Sequence, residues 1–475
     1  MTEASLIASL LAQPSPDGVE LTALPASVHW LEVRADLVGE LDPDWLRDHF
    51  PGRLIYSLRS QESNRQERLI NAAAHYDRIE LDADHDCTSG VLNHVLQEKR
   101  LVSWYGQVSN PSDLRDRFDQ VSSTPAGLYK IVTNAETIGE EFLPLWLLKS
   151  LRRSDTIAYS NSGNGSLGFW DRLLALQLGA PAIFGAVTSG DASEPTVAKL
   201  ITDYGLPEVT PVNELFAIIG NPVFHSLSPR LHNASYREMK YPALFVPLLV
   251  NSFADFWREF VQSRTLDSLG FPINGMTVAS PHKEEALAAA TNVSSMARQA
   301  EAANILVRNN GWWNADTTDP DVVYTATRQR SVDIREKRAA VIGCGGAGRA
   351  IAAALHKSGA GVTLINRGAE RGEHAAALLG LDYVPLPEFD AQGYDIVVNA
   401  TPVGRDTDEI PFKIERLNNE AVVIDLVYGS RPTPLIGSTL ARRQIAIDGR
   451  DVLITQVRHQ FQMMTGREMP EPTSV

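Results

Sequence analysis

The sequence predicts an α/β protein built as an N-terminal (β/α)8 barrel followed by a two-lobed unit with a Rossmann-type parallel sheet. Three observations predict it. Eight short apolar runs alternate with amphipathic stretches in the first part of the chain. The segment Asp203-Tyr-Gly-Leu-Pro-Glu-Val-Thr-Pro-Val-Asn213 then breaks the pattern with two prolines and a glycine. Finally, Arg338-Ala-Ala-Val-Ile-Gly-Cys-Gly-Gly-Ala-Gly-Arg349 joins an apolar strand to an Ala-rich helix through a glycine-rich turn.

The eight runs lie near Leu6–Leu11, Val28–Val33, Leu54–Leu58, Arg78–Leu81, Leu101–Trp104, Leu128–Val132, Thr156–Tyr159 and Ala182–Val187. Helix-compatible stretches separate most of them, as a small barrel requires. The barrel is placed at residues 1–208, with Asp203–Asn213 read as the linker. A second α/β pattern starts at Leu215-Phe-Ala-Ile-Ile-Gly-Asn-Pro222. It gives a substrate lobe at 214–320 and a nucleotide lobe at 321–449. The last helix, near Ile454–Met464 in a segment of about 450–475, is expected to pack back onto the earlier lobe.

Composition narrows the function. The formal charge of −15 argues against a nucleic-acid partner. No apolar stretch is long enough to span a bilayer, and no basic-then-apolar leader opens the chain. Cys87 and Cys344 are far apart and show no metal-ligand spacing, so no metal is expected and a reducing, cytoplasmic setting is.

In the nucleotide lobe, Gly343, Gly345, Gly346, Ala347 and Gly348 lead from a strand into a helix whose first N–H groups can hold a pyrophosphate. The next strand, Val362-Thr-Leu-Ile-Asn-Arg367, ends in Asn366 and Arg367 where an acidic residue usually meets the ribose. A guanidinium there suits a 2′-phosphate, so the expected cofactor is NADP.

Upstream, Gly220-Asn-Pro-Val-Phe-His-Ser-Leu-Ser-Pro-Arg-Leu-His-Asn233 sets Ser226 and Ser228 before a helix with Pro229 in its first turn. Such hydroxyls cap the helix or bind a small carboxylate there. Gly275-Met-Thr-Val-Ala-Ser-Pro-His-Lys283, Ala302-Ala-Asn304 and Asp316-Thr-Thr-Asp319 follow. With Asn399-Ala-Thr-Pro-Val-Gly404, Asp425-Leu-Val-Tyr428, Thr433-Pro-Leu435 and Gly449…Leu453…Gln456…Phe461, these segments resemble the shikimate dehydrogenase family over about Leu215–Gly466. The resemblance implies a Lys283–Asp319 pair beside the substrate hydroxyls and a carboxylate held by Ser226 and Ser228. It adds Asn304, Tyr428 and Gln456 to the pocket, and Thr401 and Gly449 to the cofactor site. Reduction of a ketone needs a hydride and a proton, and Lys283 can supply or relay the proton. Two departures surround the pair: Thr277-Val-Ala279 replaces the family's Asn-Val-Thr, and Thr317 replaces an Asn. Altered affinity or relaxed choice, toward quinate or toward NAD, is an open alternative.

In the barrel, Glu32 and Arg34 share one strand face, Arg59 ends the third strand, Glu80 lies in the fourth, and Lys130 is embedded in Leu128-Tyr-Lys-Ile-Val132. Leu31 and Val33 suit the helix layer, so Glu32 and Arg34 are expected to face the interior. Burial disfavours a charged amine, and a neutral one attacks ketones. A structural ion-pair network of Glu32, Arg34, Glu80 and Lys130 is the alternative. With Gly165-Ser-Leu-Gly-Phe-Trp-Asp-Arg172, the order of these residues over about Ser5–Tyr204 resembles type I 3-dehydroquinate dehydratases. The resemblance implies a Schiff-base Lys130 and a site completed by Glu32, Arg34, Arg59, Glu80 and Arg172. It also implies a product, 3-dehydroshikimate, that the second half reduces to shikimate.

Two positions depart from that family. Tyr105, in Ser103-Trp-Tyr105, stands where it has a histidine base. Gly190-Asp-Ala-Ser-Glu194 puts Glu194 where it has a glutamine. A tyrosine with pKa near 10 donates hydrogen bonds but is a poor base at neutral pH. His85 and His94 are candidate substitutes. A barrel that binds without catalysing is a further alternative. The expected partners are therefore 3-dehydroquinate, 3-dehydroshikimate and shikimate, with no membrane partner; the sequence leaves the oligomeric state open.

Overall fold

The computed structural model describes residues 2–162, 167–188, 194–429 and 431–471. Its chain divides into two units, one running to residue 273 and one spanning 274–471.

The first unit opens with eight strands: β1 (Ser5–Leu10), β2 (Val28–Arg34), β3 (Arg53–Ser57), β4 (Arg78–Asp82), β5 (Arg100–Gly106), β6 (Leu128–Ala135), β7 (Thr156–Ser162) and β8 (Ala182–Ala186). A helix follows each: α1 (Val19–Thr22), α2 (Pro43–His49), α3 (Arg65–Ala72), α4 (Ser89–Leu92), α5 (Pro111–Ser122), α6 (Leu143–Leu151), α7 (Trp170–Gln177) and α8 (Val197–Tyr204). The strand order is β7-β6-β5-β4-β3-β2-β1-β8, all parallel. The sheet is thus a nearly closed (β/α)8 barrel, with β7 and β8 at its two ends. Each expected strand is present to within two or three residues at its ends.

Side-chain parity builds the interior in layers. Ile7, Trp30, Ile55, Leu101, Leu128 and Ile157 belong to one buried apolar cluster. Two residues further along the same strands, and therefore on the same face, come Ser9, Glu32, Ser57, Ser103, Lys130 and Tyr159, all buried. Leu31, Val33, Tyr129 and Ile131 take the opposite parity and are buried toward the helices.

The segment read as a linker carries structure. Asp203 and Tyr204 finish α8, which Thr196 caps through Lys199 N and Gly205 ends at φ 75°. Glu208–Val209 then pairs antiparallel with Thr2–Glu3. That pairing joins positions some two hundred residues apart, so local composition could not reveal it. Beyond it come β9 (Glu214–Gly220), α9 (Ser228–Glu238) and β10 (Ala243–Leu249), β9 and β10 running parallel, and the helical segments Phe253–Phe256, Trp257–Gln262 and Thr265–Leu269 end the unit.

In the second unit, β11 (Ile273–Val278) pairs antiparallel with β12 (Ile305–Asn309), and β12 with β13 (Trp312–Asp316). Helix α10 (Lys283–Ala289) leaves the turn after β11. The nucleotide-type sheet has β14 (Arg338–Ile342), β15 (Gly361–Asn366), β16 (Asp382–Pro385), β17 (Ile396–Asn399), β18 (Val422–Asp425) and β19 (Ile445–Ile447). They are parallel in the order β16-β15-β14-β17-β18-β19. This doubly wound order reverses direction between β14 and β17, where such sheets bind nucleotides. Helix α11 (Gly346–Lys357) leaves β14, and α12 (Gly449–Thr465) closes the chain with Gln456 and Gln460 turned to β11 and to the Thr318-Asp319 loop after β13.

Among the described residues no helix is long and apolar enough to cross a membrane. No group of three or more His, Cys, Asp or Glu among them is arranged to hold a metal.

Candidate functional sites

The barrel places Lys130 at its centre. Its Nζ lies 2.6 Å from Glu80 Oε1 and 3.5 Å from Glu32 Oε1, with no exposed surface. The ammonium also sits over the Phe184 ring, 4.5 Å from its centroid. Arg59 adds a second cation, its Nη2 3.2 Å from Glu32 Oε1 and its Nε 3.8 Å from Glu80 Oε2. Two carboxylates thus meet two cations, and this balance lets four charges occupy a core. Burial alone would raise the Glu80 pKa. Lys130 and Arg59 overcome that and hold its carboxyl well below the usual range. Glu32 is lowered in the same way, again against burial.

Hydroxyls complete the layer. Ser9 donates to Glu32 Oε2 at 2.6 Å. Ser57 Oγ lies 2.9 Å from Glu32 Oε1 and 2.5 Å from Glu80 Oε2, and its one proton serves one of them at a time. Tyr105 OH donates to Glu80 Oε1 at 2.8 Å, so that oxygen receives both the tyrosine and the lysine. Burial and the Glu80 carboxylate push the Tyr105 phenol well above its ordinary value. Its proton is therefore firmly held, and it acts as a donor.

The other barrel residues are more dispersed. Arg34 turns to Asp36 in a bidentate pair of 3.0 and 2.7 Å. Arg172, on α7, stacks on the Tyr159 ring at 4.2 Å, and its Nε has no hydrogen-bond partner among the described residues. Glu194 is half-buried. Gly165 and Ser166, and Gly190, Asp191, Ala192 and Ser193, lie outside the described residues. His85 and His94 are both exposed and bonded locally, to Asp82 Oδ1 and Gly90 O. Neither joins the Lys130 cluster.

In the second unit, Lys283 opens α10 and Asp319 follows β13. Lys283 Nζ donates to Asp319 Oδ2 at 2.7 Å. Two amides hold the other oxygen: Asn304 Nδ2 at 2.9 Å and Gln456 Nε2 at 2.8 Å. Asn304 is itself fixed, its Oδ1 accepting from Thr318 N at 2.8 Å. Gln460 donates to Thr318 Oγ1 at 3.1 Å and accepts from Thr277 Oγ1 at 3.0 Å. Thr277, one of the two departures noted in the sequence, thus anchors the network through a hydroxyl.

The glycine turn reaches the same place. Gly343 adopts φ 105°, and a Cβ there would lie 2.9 Å from Ala400 O and from Thr401 Cγ2. A Cβ on Gly348 would stand 1.8 Å from Gly343 O, so helix and strand meet there only through glycine. A Cβ on Gly346 would lie 3.2 Å from Lys283 Cδ, which puts the helix start beside the lysine. Gly345 has open space around it, where a pyrophosphate would approach. Ala347 lies in the first turn of α11, whose leading N–H groups lack helix partners. Asn366 Oδ1 accepts from Cys344 N at 3.2 Å and fixes the turn to the end of β15. Arg367 is exposed there, and among the described residues no carboxylate pairs with it. These features fit a dinucleotide.

Thr401 donates to Asn399 Oδ1 at 2.6 Å after β17. Tyr428 is half-buried after β18, and Gly449 packs against the carbonyl of Val427. Ser226 and Ser228 belong to the first unit and are both buried. Ser226 Oγ accepts from Ser228 N at 3.2 Å, while the N-cap position itself is Leu227, which brings no side-chain cap.

Several residues here escaped the sequence. Ser9 and Ser57 share strand parity with the acids they hold, a signal available once β1 and β3 are placed in a barrel. Gln460 lies one helical turn after Gln456. Arg349 gave no local signal. It is buried and donates to Ala300 O at 2.8 Å, Glu284 Oε1 at 2.8 Å, Glu301 O at 3.2 Å and Cys344 O at 3.2 Å. Through these contacts it ties α10 to the glycine turn.

Comparison with known proteins covers both halves. Residues 218–306 match the shikimate dehydrogenase substrate binding domain. Residues 290–430 match the NAD binding domain of D-isomer specific 2-hydroxyacid dehydrogenases. A bifunctional 3-dehydroquinate dehydratase/shikimate dehydrogenase of Arabidopsis thaliana chloroplasts is 26% identical, over 93% of this chain and 79% of its own length. A shikimate dehydrogenase (NADP(+)) of Syntrophobacter fumaroxidans is 33% identical over 54% of this chain and 89% of its own. The crystal structure of shikimate dehydrogenase from Aquifex aeolicus superposes with a TM-score of 0.50 at 30% identity, covering 54% of this chain and 94% of that one.

Proposed function

The chain belongs to the shikimate dehydrogenase family, and from that premise we propose that it reduces 3-dehydroshikimate to shikimate with NADPH and that its barrel makes the substrate from 3-dehydroquinate. The observation that carries the first step is the Lys283–Asp319 pair, clamped by Asn304 and Gln456 beside Gly346. When bound, the dihydronicotinamide supplies the hydride to the ring ketone. Lys283 then gives its Nζ proton to the oxygen that becomes the hydroxyl. Asp319 keeps that ammonium aimed, and the two amides stop the carboxylate from turning away. Ser226 and Ser228 hold the substrate carboxylate, Tyr428 lines the pocket, and Arg367 meets the 2′-phosphate.

In the barrel, Lys130 Nζ attacks the ketone of 3-dehydroquinate and expels its oxygen as water. The resulting iminium acidifies the neighbouring C–H, loss of that proton and of a ring hydroxyl releases a second water, and hydrolysis returns the lysine. Glu80 Oε1 touches both Lys130 and Tyr105 and holds the two in place. Arg34, Arg59 and Arg172 are the cations available to an anionic substrate, and Glu32 with Ser9 fixes the far side of the lysine. With Tyr105 in the position of a base, turnover is slower by about two to four orders of magnitude than with histidine there. The favoured second reading, a barrel that binds without turnover, rests on that held Tyr105 proton.

Steady-state assays of the intact protein test the dehydrogenase. Lys283→Met is expected to lower kcat by about two to four orders of magnitude, and an unchanged kcat would refute its role. Arg367→Ala is expected to cost about tenfold or more in NADPH preference over NADH. Retained preference would move the 2′-phosphate contact elsewhere.

A further inference from the structure

The barrel reaches onto the turn that carries Ser226. This turn, Val223–Ser226, closes through Ser226 N on Val223 O at 3.0 Å and leads straight into α9. Phe224 lies at its outer corner, and the barrel grips that residue from three directions. Gly168 runs past it at φ 105°, so close that a Cβ would stand 2.4 Å from Phe224 Cζ. The Phe169 ring stacks on Phe224 with centroids 5.8 Å apart, backed edge-on by Tyr204 at 6.0 Å. From α8, Lys199 Nζ donates to the Phe224 carbonyl at 3.2 Å while paired with Asp203 at 2.9 Å.

The gripping segment is itself rigidly fixed. Buried Glu141 accepts from Leu167 N at 2.9 Å and from Trp170 Nε1 at 2.6 Å. Leu249 N, at the end of β10, donates to Leu167 O at 3.0 Å. Trp170 packs edge-on against Phe142 and Phe260.

We propose that Phe169 and Lys199 of the barrel are positioning residues for the dehydrogenase, holding the Val223–Ser226 turn in the pose that receives the substrate carboxylate. This rests on the assignment of Ser226 and Ser228 to that carboxylate. A ring on one side and an ammonium on the carbonyl on the other fix both the place and the tilt of Phe224. Ser226 Oγ, two residues on, is thereby preset. Neither residue touches the reacting atoms, so their loss acts on substrate affinity and leaves the chemical step alone.

The test is steady-state oxidation of shikimate by the full chain, with shikimate and NADP varied separately, for Phe169→Ala, Lys199→Met and Ser226→Ala. Phe169→Ala and Lys199→Met are expected to raise the shikimate KM by about two- to thirtyfold, with kcat and the NADP KM unchanged. Lys199→Arg, which keeps the donor and the Asp203 pair, is expected to restore it. Should Phe169→Ala not fold, the Lys199 pair of variants decides alone. If Ser226→Ala raises the KM and the barrel variants leave it unmoved, the brace is refuted. If Ser226→Ala itself leaves the KM unmoved, the carboxylate assignment falls and takes the proposal with it.

Discussion

Two lysine–carboxylate pairs at almost the same distance sit in two different surroundings. Lys130 and Glu80 are 2.6 Å apart with nothing exposed on the lysine, whereas Lys283 and Asp319 are 2.7 Å apart with 17% of the lysine side chain open. In the barrel the carboxylate shares its lysine with a second acid, an arginine and a tyrosine. In the second unit it is held by two neutral amides. The contrast teaches that an ion pair is not a mechanism. Lys130 is wholly buried between two acids, whereas Lys283 keeps part of its surface open beside a carboxylate pinned by amides. Under the proposed function the first is the nucleophile and the second the proton donor.

The largest effect expected from that contrast is all-or-none. Lys130→Ala should abolish the adduct that borohydride traps on 3-dehydroquinate, detected as a mass increase, while reduction of added 3-dehydroshikimate continues. An adduct surviving the substitution would end the distinction between the two lysines. Next in size, Tyr105→His should raise the dehydration rate by about two to four orders of magnitude, because it offers a base where a held proton now sits. No gain, with the protein folded, would mean the barrel lacks more than its base.

The two sites should also differ in stability. Glu80→Gln leaves two cations facing one acid in a closed core and is expected to cost about 3–5 kcal/mol. Asp319→Asn, at a partly open site that keeps amide partners, should cost on the order of 1 kcal/mol. Denaturant melts of the two variants check the order, and equal losses would break it.

The smallest effect is in pH. Glu80 and Glu32 have depressed native pKa values, so they bind fewer protons folded than unfolded. Their stabilisation is present above the unfolded carboxylate value, about 4, and is lost as pH falls below it. Asp171, which accepts from Ser160 N and Oγ, runs the other way. Burial pushes its pKa up to about 6. The folded state then holds the extra proton, and stability falls as pH rises between about 4 and 6. Asp171→Asn should remove that slope from melting temperatures measured across the window, and an unaltered slope would show another group sets it.

Much of this was legible in sequence for a physical reason. Strand parity is local, so Glu32 could be assigned to the interior before any pairing was known, and Lys130 stood out as a charge inside an apolar run. The glycine spacing from Gly343 to Gly348 is likewise a local requirement of a tight turn and a close helix. What escaped depends on distant partners. Glu208–Val209 became a strand only because Thr2–Glu3 lies beside it. Arg34 was expected in the interior and interacts there with Glu32 and Arg59, but its bidentate bond to Asp36, two residues on, had no signal in strand parity. Arg349 serves carbonyls and a carboxylate on three other segments, and no pattern around it announces that. The grip of Phe169 and Lys199 on Phe224 belongs to the same class, since it joins residues read as separate domains.

The most direct measurement supplies 3-dehydroquinate and NADPH to the intact protein and follows NADPH oxidation, with the Lys130→Ala variant alongside. The account predicts slow oxidation that Lys130→Ala abolishes, with both proteins oxidising NADPH normally when given 3-dehydroshikimate. Oxidation with 3-dehydroshikimate alone, and none from 3-dehydroquinate in either protein, would contradict it and leave the barrel as a support for the dehydrogenase.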